Sequence, residues 1–355
     1  MENVLAQPIS LWQSILLILI AGNLLVWPLV SRWAESHLEL FLLGIGAAAV
    51  TVSGGWSVPF IYDTLQYPVN VAFIVLVVSV IFNNYSRYIF RILFMLFRSL
   101  EPQYSFAALI FVLGMTSSLF SVTVAALLLA EVLQVVKLEH PVMVRITVFA
   151  CYAIGLGAVL TPLAEPMGSV IYRALSVPPH RADFFFLLRH FIGWITPAVV
   201  LLSVAAGYCA RHAGAGITMS IREDKETYSV VLRRTWHIYL FVAALHLIST
   251  GLRPLAQQTV PYLGGKILFL ANAVSVIIDN ATLAAIEIVP TISHTDLVYM
   301  VIGLAAFGSM LVQGNLPNIV AAEKLGIKSR EWASVAVPTG LVLMVGYFIA
   351  LAIIL

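Results

Sequence analysis

The sequence predicts an all-α polytopic membrane protein with about ten membrane segments arranged as two inverted repeats. Three observations carry that prediction. Of 355 residues, 61% are hydrophobic and only 10% are charged. Apolar runs of roughly 17 to 25 residues, each enough for a helix to cross a hydrocarbon core of about 30 Å, recur along the chain. Two carboxylates, Glu165 and Asp279, sit inside such runs, Glu165 beside helix-breaking glycine and proline. A buried carboxylate costs several kcal/mol unless it is protonated, paired or bound to a cation, so these positions point to ion handling rather than packing.

The remaining composition narrows the class. Lys plus Arg number 19 against 17 for Asp plus Glu, and no basic block interleaved with aromatics suggests a nucleic-acid groove. Cys151 and Cys209 lie in apolar stretches, as suits unpaired structural thiols. The longest polar connection, near residues 210–235, is too short for a soluble domain. Leu11 to Val30 lacks a basic leader and a small-residue cleavage site, so it reads as a retained span. No metal-ligand spacing, hydrolase triad or nucleotide-binding loop is visible, so neither an enzyme, nor an ATP-driven pump, nor a bound cofactor is expected.

Spans are expected near 10–30, 38–53, 68–83, 141–174, 184–209, 236–250, 296–322 and 332–355. Segments 105–138 and 264–292 have polar or small residues at their centres; each either crosses once or enters, turns and leaves on the same side. Arg87, Arg91 and Arg98 suggest an interfacial helix over 85–98, with an ordinary crossing as the alternative. Placing Arg32, Arg87, Arg91, Arg98, Arg211, Arg233, Arg234, Lys324, Lys328 and Arg330 in the cytoplasm fits the span order if both central segments are hairpins. Arg173, Arg181 and Arg253 then fall outside. The expected organisation is an N-terminal span (1–37), a first repeat (38–174), a second, inverted repeat (175–322) and a C-terminal span (323–355).

Four stretches carry the candidate chemistry. In SVIIDNATLAAIE (275–287), Asp279 can carry a proton or a cation, and Asn280 and Thr282 supply neutral oxygens of the kind hard cations prefer. In GSMLVQGNLPNIVAA (308–322), Gly314 and Pro317 interrupt a span, and Gln313, Asn315 and Asn318 put amides at the break. In GMTSSLFSVTVAALLLAE (114–131), Thr116, Ser117, Ser118, Ser121 and Thr123 surround a possible hairpin tip, although hydroxyls in membrane helices commonly bond their own backbone. In LTPLAEPMGSV (160–170), Pro162 and Pro166 flank Glu165 and bar a continuous helical ladder, exposing a helix end there. A Na⁺ site is expected at Asp279, Asn280 and Asn315. Glu131 and Glu287 lie on the far arms of the two hairpin candidates; either suits a second proton carrier, and interfacial anchoring or pairing with Lys137 explains Glu131 equally well.

At these stretches the chain resembles the ion transporter superfamily that holds NhaD-type sodium/proton antiporters, arsenite permeases and dicarboxylate or citrate carriers. The resemblance covers about 38–355 and is most specific at IDNATLAA and QGNLPNIVAA. It implies two inverted repeats, each with a re-entrant hairpin and an unwound helix, in a homodimer of the cell (inner) membrane. The family's Asp-Asn-x-Thr tip is similar to Asp279, Asn280 and Thr282, and its Asn-rich broken helix to Gly314, Asn315, Pro317 and Asn318. The first hairpin tip departs from the family pattern, with Phe120, Ser121 and Thr123 where many relatives have Asp-Asn. The expected activity is exchange of Na⁺ or Li⁺ for H⁺ at Asp279 and Glu165. The alternatives are a Na⁺-coupled di- or tricarboxylate symporter, disfavoured because none of the four stretches contains Lys or Arg, and an arsenite efflux permease.

Overall fold

The computed structural model describes residues 9–31, 33–34, 37–66, 68–69, 72–77, 80–81, 84, 100–119, 121–212, 218–219, 227–259, 264–276 and 280–355. Over these residues the chain is helical apart from turns, loops and one two-residue antiparallel pair, Val136–Lys137 with Thr218–Met219. The interfacial segment expected at 85–98, Phe120 and Asp279 lie outside the described residues.

Helices α1 (Leu11–Val30) and α2 (Leu38–Ser53) coincide with the first two expected spans. A capping box starts α1, with the Ser10 and Gln13 side chains each accepting the other's backbone N–H. The polar-centred segment 105–138 forms α3 (Pro102–Thr116), a turn, and α4 (Val122–Val135). The run 141–174 is interrupted, giving α5 (His140–Ala158) and α6 (Pro166–Leu175). Two long helices follow, α7 (Phe186–His212) and α8 (Tyr228–Thr259). The latter outruns its expected span at both ends, because helix continues through the polar Arg233 and Gln257 beyond the apolar run.

The second half then repeats the element order of 102–175. Helix α9 (Gly265–Ala271) runs into a 3₁₀ turn (Asn272–Val276), and α10 (Asn280–Glu287) follows. Helix α11 (His294–Phe307) is separated by another 3₁₀ turn (Val312–Gly314) from α12 (Leu316–Leu325). Helix α13 (Ser329–Ile354) ends the chain. Among the described residues, α1, α5, α7, α8 and α13 contain stretches long and apolar enough to cross a membrane. Helices α1 and α13 are buried over only 18% and 17% of those stretches, as suits the edge of a bundle, whereas α5 is 72% buried and forms its centre.

Packing pairs the halves reciprocally. Helix α3 lies on α5, and α9 on α11. Across the halves, α4 lies on α12 and α6 on α10, so each second arm meets the far piece of the other half's interrupted helix. Helices α2 and α8 cross where Gly46 and Gly251 let the backbones approach. The α3–α5 contact is as close: a Cβ on Gly157 would overlap the Gly114 carbonyl. Gly157→Ala is therefore expected to destabilise the protein by about 1–3 kcal/mol, the usual range for overpacking. Thermal unfolding of the detergent-purified protein checks this, and an unchanged midpoint would contradict the contact.

Candidate functional site

Each interrupted helix is held open by its own side chains. In the first break, residues 159–165, the Thr161 hydroxyl donates to the Ser118 carbonyl, and Ser169 Oγ donates to the Pro162 carbonyl at 2.8 Å. The ladder that Pro162 and Pro166 prevent is thus replaced by hydroxyl bonds, and Glu165 sits in extended conformation immediately before α6 (φ −144°, ψ 144°). Its side chain is largely buried.

In the second break, residues 308–315, Asn318 is fully buried and its Nδ2 donates to the Gly308 carbonyl (3.2 Å) and the Leu311 carbonyl (3.0 Å). Trp332 Nε1 donates to the Ser309 carbonyl at 3.1 Å. Carbonyls that a continuous helix would have satisfied are thereby occupied, so Asn318 serves the break itself. Asn315 caps α12, its Oδ1 accepting from Leu316 N at 2.9 Å.

The two breaks and the second two-armed segment meet at a cavity of about 290 Å³. Its wall includes Glu165 and Pro166 from the first break, Gln313, Gly314 and Asn315 from the second, and Asn280 from the start of α10. Asn280 reaches this wall past Gly308, where a Cβ would lie 2.8 Å from Asn280 Nδ2. Asn280 Oδ1 is buried with no hydrogen-bond partner among the described residues, which leaves an acceptor at the cavity for a ligand. Glu165 and Pro166 also line a second depression of about 390 Å³ that includes Ser169 and Arg173. Glu165 therefore stands in a wall shared by two hollows.

Residues 11–354 match the model of a family described as "Protein of unknown function (DUF1646)". The chain belongs to the DUF1646 family. No curated protein matches it.

In this DUF1646 chain the hydroxyls of the first two-armed segment are not among the residues that line the cavity. Ser117 is buried, and its Oγ donates to the carbonyls of Gly114 (2.8 Å) and Ile154 (2.9 Å), pinning α3 to α5. Ser118 is buried and supplies the carbonyl that Thr161 bonds. Ser121 caps α4, accepting from Thr123 N at 3.3 Å, and Thr123 is itself buried. The Ser117 and Ser121 hydroxyls thus hold backbone, which is the commoner use of such groups in membrane helices. Thr282 lies in α10, two residues beyond Asn280. Pro162 and Pro317 act at the breaks, outside the cavity wall.

The opposite wall of the cavity in this DUF1646 protein is one face of α8, with His246, Ser249, Thr250 and Arg253. Sequence reasoning missed it: the expected arrangement leaves Arg253 outside and singles out none of the other three. The available signal was spacing. The four fall at i, i+3, i+4 and i+7, a polar stripe in the apolar middle of the helix. His246 also stacks on Phe60, with ring centroids 5.5 Å apart. Arg253 is exposed and makes no hydrogen bond or ion pair among the described residues.

Glu131 has a partner from the other half of the chain that the sequence does not suggest: Lys324 of α12, whose Nζ bonds Glu131 Oε1, while Gln134 Nε2 donates to the Lys324 carbonyl at 3.0 Å. The side chain of Lys137 lies outside the described residues. Lys324, expected at the cytoplasmic surface, has a side chain only 1% exposed. No group of three or more His, Cys, Asp or Glu with metal-binding geometry occurs among the described residues. A cation in the cavity would be met by Glu165 and amide oxygens, a set suited to a hard ion.

Proposed function

We propose that the protein is a secondary active transporter of the cell (inner) membrane that exchanges Na⁺ or Li⁺ for H⁺ by alternating access. The observation that carries this reading is the cavity at which Glu165, Asn280, Gln313 and Asn315 meet, since Glu165 comes from one interrupted helix, Gln313 and Asn315 from the other in the opposite half of the chain, and Asn280 from the start of α10. Polar breaks that meet in the middle of apolar helices are the usual construction of a carrier's substrate site. In this reading 38–174 and 175–322 are inverted repeats whose central segments are re-entrant hairpins. The matching element order and the reciprocal packing of α4 on α12 and α6 on α10 support it. The protein works as a homodimer embedded in the lipid bilayer.

The chemistry follows from the carboxylates. Glu165 and Asp279 can hold a proton or a Na⁺ but not both, so the two species compete for one site. Asn280, Gln313 and Asn315 complete the oxygen shell when Na⁺ is bound. An empty, doubly charged site is costly to move through a low-dielectric interior, so the carrier reorients only when loaded, and loading with alternate species on the two sides is exchange. Radiolabelled Na⁺ loaded into proteoliposomes should leave in response to an imposed proton gradient. Efflux indifferent to that gradient would contradict the reading.

A second reading, Na⁺-coupled carboxylate symport, is favoured by one set of observations. Arg253 lines the cavity, as do Pro166, Asn280 and Leu316, the first residues of α6, α10 and α12. A guanidinium and helix N-termini suit an anion. The two readings differ in the effect of Arg253→Gln. Antiport predicts Na⁺-driven proton movement within about threefold of wild type, since Arg253 is no ligand of the cation. Symport predicts loss of succinate or citrate uptake by about tenfold or more, the cost of one charge-assisted bond.

A further inference from the structure

Glu131 and Glu287 lie on α4 and α10, the second arms of the two central segments, and their surroundings differ. Glu131 is neutralised by Lys324 from the opposite half. Glu287 is 5% exposed, and its Oε2 accepts one hydrogen bond, from Asn272 Nδ2 at 3.1 Å. That amide is shared, since Asn272 Nδ2 also donates to the Met300 carbonyl at 3.3 Å. Glu287 Oε1 is buried with no hydrogen-bond partner among the described residues.

Helix α10 packs against α6, α8, α11 and the 3₁₀ turn 272–276. The turn carries no charged residue. Tyr172 and Arg173 on α6, His246 and Arg253 on the cavity face of α8, and His294, Asp296 and Tyr299 on α11 make no hydrogen bond or ion pair with Glu287. One shared neutral amide does not offset the cost of an ionised carboxylate in so apolar a place, whereas a protonated acid needs no counter-charge. Glu287 is also absent from the cavity wall.

We infer that Glu287 is a second proton-binding site, separate from the cavity, and that its proton is one of those moved in each transport cycle. The coupling half of this statement rests on the exchange reading above. In the conformation described Glu287 is protonated and sealed. When the α9–α10 segment moves, the carboxyl meets water, gives up its proton as a carboxylate, and regains one before it is buried again. No bond other than O–H forms or breaks. Glu131, fixed by Lys324, does not take part.

Two measurements on the full-length protein test this. Infrared spectroscopy at neutral pH should show a protonated-carboxyl C=O band that is absent in Glu287→Gln and retained in Glu165→Gln; no band dependent on Glu287 would overturn the proposal. The proton-to-Na⁺ ratio, read from the pH gradient that balances a set Na⁺ gradient in proteoliposomes, should fall by one in Glu287→Gln. It should return to the wild-type value in Glu287→Asp, which keeps the acid. Active Glu287→Gln with an unchanged ratio would overturn the carried proton, as would a Glu287→Asp variant that folds but keeps the lowered ratio. If wild type shows the band yet moves no proton with any cation, the exchange reading fails and the carried proton with it. That outcome is distinct from a working exchanger indifferent to Glu287.

Discussion

Glu165→Gln is expected to abolish Na⁺-driven proton movement, lowering its initial rate by about 100-fold or more while leaving the protein folded. A factor of 100 corresponds to about 2.7 kcal/mol, within the range for removing a charged partner from a desolvated site. The fold should survive because hydroxyl bonds and prolines hold the first break. Thr161 bonds the Ser118 carbonyl, Ser169 bonds the Pro162 carbonyl, and Pro162 and Pro166 themselves fix the chain. Glutamine keeps the length and one acceptor oxygen but can carry neither a proton nor a negative charge, so competition between Na⁺ and H⁺ is lost. Elution as the wild-type species with an unchanged unfolding midpoint, together with lost flux, is the expected pair of results. Full flux in Glu165→Gln would remove Glu165 from the coupling chemistry.

Lys324→Met is expected to cost about 3–5 kcal/mol, the range for breaking a buried ion pair by removing one partner. Lys324 is 1% exposed and Glu131 18%, so the carboxylate left behind is largely screened from water. The pair joins α4 to α12, and the Gln134 bond to the Lys324 carbonyl reinforces the same contact. The double variant Glu131→Leu/Lys324→Met should recover most of the loss, because replacing both charges with apolar side chains removes the desolvation cost along with the attraction. Unfolding midpoints of the two single variants and the double variant form the cycle that checks this. Equal and additive losses would mean that the two residues do not act as a pair.

The elements were legible in the sequence wherever hydropathy or proline marks them. The runs at 10–30 and 38–53 are the helices Leu11–Val30 and Leu38–Ser53, and Pro162, Pro166, Gly314 and Pro317 fall where two helices are interrupted. Local pattern suffices there because a helix end is a local event. What was not legible is what the chain brings together from afar. Lys324 lies 193 residues from Glu131, a separation at which no local pattern marks a partner. The polar stripe of α8 was overlooked because it interrupts no helix; its residues matter only once α8 is laid along the cavity. The hydroxyls at 117–123 surround the expected hairpin tip, yet Ser117 and Ser121 bond backbone close to their own helix ends.

The most direct test of the central claim is the internal pH of proteoliposomes after an added Na⁺ pulse, with Li⁺, K⁺ and choline as comparisons and Asp279→Asn beside wild type. Exchange predicts that wild type moves protons outward when Na⁺ or Li⁺ enters, that K⁺ and choline do nothing, and that Asp279→Asn is silent. A wild type whose internal pH answers no cation would contradict the account, and uptake of dicarboxylate, citrate and arsenite would then be measured on the same vesicles.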